Sequence, residues 1–125
     1  YVGEFAKEII GVDYSSSNIE DANENKKLNN LKNITFINAK VENVIDTFKD
    51  IDMIIVDPPR AGLAQKTIDN IERISPKHLI YVSCDPATLA RDLNLLTNYE
   101  AEEVTPFNMF PRTYHVEAVC VLERR

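Results

Sequence analysis

Short runs of β-branched and aliphatic residues alternate with longer amphipathic stretches along the chain, the pattern of strands joined by crossover helices. Ile9-Ile10-Gly11-Val12-Asp13 reads as a buried strand. The serines behind it, with Ser17-x-x-Glu20 at capping-box spacing, predict a helix to about Asn30. Ile34 to Ile37 predicts a second strand, and Val41 to about Phe48 a short helix with Val41, Val44, Ile45 and Phe48 on one face. Asp52-Met53-Ile54-Ile55-Val56 is the most hydrophobic run and predicts a central strand, stopped by Asp57-Pro58-Pro59 because proline cannot donate to a ladder. Leu63 to Ile74 reads as helix and Leu79 to Val82 as strand. Asp85-Pro86 then opens another helix, with Asp suited to the N-cap and Pro to the first helical position, and Leu89, Leu93 and Leu96 as its apolar stripe. Glu103 to about Phe107 and Val116 to Leu122 predict an antiparallel closing pair. The expected architecture is an α/β parallel sheet with an antiparallel terminal strand.

Composition narrows the class. The chain has 125 residues, 44% hydrophobic and 27% charged, which predicts one soluble globular domain, 1–125. No apolar run approaches the roughly 18 residues needed to span a bilayer. Tyr1-Val2-Gly3-Glu4 has no initiator Met and no signal-peptide pattern, and reads as if cut from a longer chain. Cys84 and Cys120 stand in unrelated contexts, which argues against a disulfide framework or metal cluster and for a reducing, cytoplasmic setting. The net charge of −6 opposes nucleic-acid binding by this segment alone, since phosphates attract a basic surface.

Ligands of open parallel sheets bind beyond the carboxyl ends of the strands. Asp13, Asp57 and Cys84 each follow an apolar run, and Glu117 stands early in a strand expected to run antiparallel, which would bring it, with the Phe107 to Glu117 segment, to the same edge. Each also has an ordinary structural reading. Asp13 could simply cap a helix, Cys84 could be one more buried cysteine, and Glu117 could be a surface residue. Against this, the start of a helix favours a thiolate at Cys84. Two prolines after a buried strand make Asp57-Pro58-Pro59 a rigid turn. Cys120 is expected in the core, and His78 and His115 are expected to be structural or solvent-facing.

Asp57-Pro58-Pro59-Arg60-Ala61-Gly62, then Leu79-Ile80-Tyr81-Val82-Ser83-Cys84-Asp85-Pro86-Ala87-Thr88, resemble paired signatures of the RNA 5-methyluridine (uracil-C5) methyltransferases. Phe107-Asn108-Met109-Phe110-Pro111-Arg112-Thr113-Tyr114-His115-Val116-Glu117 is similar to that family's C-terminal signature. The chain departs from the family pattern with Asp85 where Asn is usual, Asn108 where Asp is usual, and Arg112 where His or Gln is usual.

The resemblance implies a Rossmann-like class I methyltransferase sheet using S-adenosyl-L-methionine on uridine of transfer or ribosomal RNA. It also implies roles. Cys84 would attack C6 of the base and Glu117 would remove the C5 proton. Asp13 would bind the cofactor ribose, Asp57 would line the cofactor and base pocket, and Arg60 would touch the RNA. Family members carry a first strand and a glycine-rich loop ahead of the Ile9 strand. With three glycines and no G-x-G here, these are expected to be missing, leaving an inactive fragment. Two other readings stand beside this one: a class I methyltransferase acting on an amino group or small molecule, which would need no thiol, and a non-catalytic remnant.

Overall fold

The structure, a computed structural model, describes residues 2–125, apart from the side chain of Val2. The chain forms two compact units, Tyr1–Ile45 and Asp46–Arg125.

The first unit is a strand–helix–strand crossover. Strand β1 (Ile9–Asp13) pairs in parallel with β2 (Ile34–Asn38), from Ile9 opposite Ile34 to Asp13 opposite Asn38. Helix α1 (Ser16–Leu28) joins them. Its N-cap is Ser15, whose hydroxyl accepts the Asn18 N–H at 3.4 Å, and not Ser17. The chain turns into the helix two residues earlier than the capping-box spacing predicts, because the Asp13 carboxylate already captures the Ser15 N–H. The short helix α2 (Val41–Val44) runs on into a 3-10 turn, Ile45–Thr47.

The second unit is a four-stranded sheet in the order β3-β4-β6-β5, built from β3 (Met53–Val56), β4 (His78–Ser83), β5 (Tyr99–Phe107) and β6 (Glu117–Arg124). β3 and β4 are parallel, and β6 runs antiparallel to both of its neighbours, as the closing pair predicts. Helix α3 (Gln65–Ile74) links β3 to β4, and α4 (Pro86–Leu95) links β4 to β5. Asp85 caps α4 and Pro86 occupies its first turn, as expected.

The pleat sorts this sheet into two faces. Leu79, Tyr81 and Ser83 of β4 and Ala118, Cys120 and Leu122 of β6 are buried, and they form the core with Ile68 and Ile71 of α3 and Leu89 of α4. The alternate residues, among them Ile80, Val82, Val119 and Val121, are only half-buried. Cys120 is a core residue as expected, and burial pushes its thiol pKa up. The α4 stripe differs from the periodicity reading: Asp92 is buried between Leu89 and Leu96, while Leu93 is half-buried.

Candidate functional site

The carboxyl edge of the four-stranded sheet gathers three of the expected residues. The register pairs Val82 with Val119 and Ser83 with Ala118. One step further, Cys84 comes level with Glu117, which itself pairs with Phe107 of β5. Paired residues in a ladder share a face. Ser83 and Ala118 lie on the buried face, so Glu117, the neighbouring residue of β6, falls on the opposite, half-open one, and Cys84 follows the end of β4. On the other side of β4, Val56 pairs with Tyr81, which places Asp57 at the level of Val82. Cys84 and Asp57, each one residue beyond its strand, and Glu117, the first residue of β6, therefore stand along one edge of this sheet.

The local chemistry fixes Cys84 tightly. The Ser83 hydroxyl accepts the Asp85 N–H at 3.1 Å and donates to the Asp85 carbonyl at 2.9 Å, bracketing Cys84 in a narrow turn. Asp85 Oδ1 then accepts from the N–H groups of Ala87 and Thr88. The Thr88 bond is the main reason the Asp85 carboxyl is held below the ordinary carboxylate range. Cys84 is half-buried and reduced, directly ahead of the helix cap. The first turn of α4 is already capped, since Pro86 carries no N–H and Asp85 takes those of Ala87, Thr88 and Leu89.

The turn after β3 lies along the same helix. Arg60 Nε stands 3.4 Å from Asp85 Oδ2, with the Arg60 side chain largely exposed. The Thr88 hydroxyl reaches the Arg60 carbonyl at 3.2 Å, and Arg91 Nη2 donates to the Ala61 carbonyl at 2.9 Å. Arg60 is thus tethered beside Cys84 while its guanidinium remains open to an anionic partner.

The segment between β5 and β6 is a hairpin loop at this edge. His115 stacks against Tyr114 at 4.5 Å between ring centroids and meets Phe110 edge-on at 6.3 Å. Arg112 sits in the left-handed region at φ 70°. His115 is part of an aromatic cluster, in keeping with a structural role. No group of three or more His, Cys, Asp or Glu side chains among the described residues could hold a metal ion.

Asp13 ends β1 in the first unit. Its Oδ1 accepts the Ser15 N–H at 2.7 Å and its Oδ2 accepts from the Asn18 amide at 3.0 Å. These two bonds, Asn18 first, hold its carboxyl below the ordinary range. The carboxylate is ionised and oriented, and each oxygen keeps a lone pair for a further donor. Asp13 is thus not the helix cap itself, which is Ser15, but it fixes the Ser15 N–H and the Asn18 side chain at the helix entry.

Sequence reasoning singled out Asp57, Arg60, Cys84 and Glu117, but it missed Tyr81, Arg91 and Asp92. The missed signal was an acidic residue three positions after Leu89, on the helix face that must be buried.

Comparison with known proteins gives the same picture. Residues 2–125 match the tRNA (uracil-5-)-methyltransferase family model. An uncharacterized RNA methyltransferase of Listeria innocua is 46% identical over 94% of this chain, and one of Bacteroides thetaiotaomicron is 43% identical over the whole of this chain. The chain spans 27% and 29% of the lengths of these two relatives. Among solved structures, the Pyrococcus abyssi tRNA (uracil-54, C5)-methyltransferase in complex with S-adenosyl-L-homocysteine superposes with a TM-score of 0.89 at 38% identity, covering 98% of this chain and 30% of that one. An rRNA methylase from Streptococcus thermophilus, 14% identical, superposes with a TM-score of 0.71 over 98% of this chain and 76% of its own, a likeness of fold. The fold is the Rossmann-like α/β fold of class I methyltransferases. With the family model matched from residue 2 to the last residue, the chain belongs to the tRNA (uracil-5-)-methyltransferase family.

Proposed function

We propose that the protein carrying this chain methylates C5 of a uridine in RNA, using S-adenosyl-L-methionine, with Cys84 as nucleophile and Glu117 as base. The observation that supports this reading is the register of β4 with β6, by which Cys84, one residue past β4, comes level with Glu117 at the edge where the Asp57 turn also lies.

Uracil C5 is a weak carbon nucleophile. The Cys84 thiolate forms a bond to C6, and the displaced electron pair makes C5 enolate-like. Bound S-adenosyl-L-methionine supplies the electrophilic methyl group that C5 takes up. Glu117 then removes the C5 proton, the electrons left behind re-form the C5–C6 double bond, and the Cys84 sulfur leaves as thiolate. A nucleophile and base on neighbouring positions of one ladder, roughly 5 Å apart in backbone, can reach opposite ends of a single C5–C6 bond.

The donor set suits the cofactor. Asp13, ionised and held by Ser15 and Asn18, presents a carboxylate suited to a ribose diol, the role an acid plays after a strand in nucleotide-binding sheets. Asp57 supplies the second carboxylate at the Cys84 edge, and Arg60 offers its guanidinium to RNA phosphate. The base must leave its stack to reach the thiol.

The test uses the whole protein, S-adenosyl-L-methionine and RNA carrying 5-fluorouridine at the target. Fluorine cannot leave C5 as a proton, so the adduct persists and gives a denaturation-resistant protein–RNA band, which Cys84→Ala abolishes. Glu117→Gln should accumulate the same adduct with ordinary uridine. Absence of the band with an RNA that is otherwise methylated would eliminate the covalent mechanism.

A further inference from the structure

Asp92 lies about two turns into α4, on the covered side of the sheet, and the chemistry proposed above does not use it. Its side chain is wholly buried. Oδ2 accepts from the Tyr81 hydroxyl at 2.6 Å and the Leu63 N–H at 2.7 Å. Oδ1 accepts from Arg91 Nε at 2.8 Å and Nη2 at 2.6 Å. A buried carboxylate is tolerated only when its lone pairs are filled, and four donors fill these.

The donors have a common destination. Leu63 follows the Pro59–Gly62 turn, closed by the Gly62 N–H on the Pro59 carbonyl at 2.8 Å, and Arg91 Nη2 also holds the Ala61 carbonyl. Gly62 stands at φ 80°, and a Cβ there would lie 2.5 Å from both Asp92 Oδ2 and Arg91 Nη2. At the other end of the same turn, Thr88 and Asp85 hold Arg60. The loop is fastened by the α4 cap Asp85 and by Thr88, Arg91 and Asp92 along the helix, which begins two residues after Cys84. An apolar residue at position 92 would fill the core but leave the Leu63 N–H and the Tyr81 hydroxyl without acceptors.

We propose that Asp92 is a positioning residue: through Leu63, Tyr81 and Arg91 it locks the Asp57–Leu63 turn against α4, and so fixes Asp57 and Arg60 relative to Cys84 without touching substrate. The kinetic consequence rests on the uracil-methylation reading, whereas the clamp itself does not. A shift of the turn by an ångström would misplace both groups at the reacting base, the kind of error that slows catalysis in a protein that is still folded.

The experiment compares the whole wild-type enzyme with Asp92→Asn and Tyr81→Phe. The first keeps the shape and removes the charge, while the second keeps the ring and removes one donor. Hydrogen exchange followed by mass spectrometry reads the clamp, and the single-turnover rate of adduct formation at saturating 5-fluorouridine RNA reads its effect. The expected result is faster exchange concentrated in residues 57–63, together with an adduct rate slowed by about tenfold or more. Unchanged exchange in that segment overturns the clamp. Faster exchange with an unchanged adduct rate reduces Asp92 to a structural role. If Asp92→Asn does not fold, Tyr81→Phe carries both readouts. A wild-type enzyme that forms no adduct removes the uracil reading, and the exchange comparison still decides the clamp.

Discussion

At the scale of single residues, the two glycines in tight surroundings separate cleanly. A Cβ on Gly11 would meet the Phe36 ring at 2.6 Å, but a ring edge in a half-buried strand pair can swing aside. Gly62 has no such relief. Its φ of 80° disfavours any side chain, and the Asp92 carboxylate facing it is held by four donors. Left-handed strain and overpacking each cost about 1 to 3 kcal/mol, so Gly62→Ala is expected to lose about 2 to 4 kcal/mol, well above Gly11→Ala. Urea titration checks this through the midpoint at constant slope. A loss at Gly62 below about 1 kcal/mol would mean that the turn lifts off α4 easily. The sequence makes Gly62 visible as a motif residue, yet its reason lies in Asp92, thirty positions on, and local pattern carries no trace of that pairing.

At the scale of elements, strands and caps were legible wherever local chemistry decides them. Asp85-Pro86 begins α4 as its composition dictates, and the apolar runs at Ile9, Ile34, Met53 and Leu79 are all strands. The site edge followed from strand ends alone, because Asp57 and Cys84 each close a run. Tertiary bonds were not legible. Asp92 replaced Leu93 on the buried face because Tyr81 and Leu63 supply donors from other elements, whereas the shift of the α1 cap from Ser17 to Ser15 follows from a local bond to Asp13 that the capping-box spacing does not register. Two such bonds predict alkaline behaviour. The Tyr81 hydroxyl joins β4 to α4, and the Tyr99 hydroxyl donates to the Pro76 carbonyl at 2.9 Å, joining β5 to the turn before β4. Burial raises both phenols above the ordinary value of 10.0, with the Asp92 hydrogen bond adding to it at Tyr81. The unfolded chain therefore loses these protons first. The stabilisation is complete below about pH 10 and declines as pH climbs toward the folded values. Urea stability between about pH 8 and pH 11 should fall less steeply for Tyr81→Phe than for wild type. Parallel profiles would show that the Tyr81 proton is not linked to folding.

At the scale of the whole molecule, the two units are unequal in what they bury. Among the described residues, Ile45 is the one fully buried large hydrophobic in the first unit, while Leu79, Tyr81, Leu89, Leu122 and their neighbours form the core of the second. The cause is readable in α1. Its thirteen residues, SSNIEDANENKKL, include few apolar ones, and none of them is buried. A βαβ crossover with so thin an apolar seam gains little from hydrophobic burial, so its hydrogen bonds open at lower free energy than those of a buried sheet. In the second unit β4 lies between β3 and β6, and every second residue of β4 and β6 is buried. Native-state hydrogen exchange on this chain should therefore show the slowest amides in β4 and β6. Those of β1 and β2 should exchange faster by about tenfold or more, with Asp13 in the labile part. With Asp13 as the proposed ribose ligand, S-adenosyl-L-homocysteine at saturating concentration should slow exchange around Asp13 and α1, because a ligand held only by the folded form opposes opening of the segment that binds it. Equal protection of the two sheets before ligand is added would show one cooperative unit in place of two, and would remove the argument that cofactor binding and ordering of the Asp13 strand are linked.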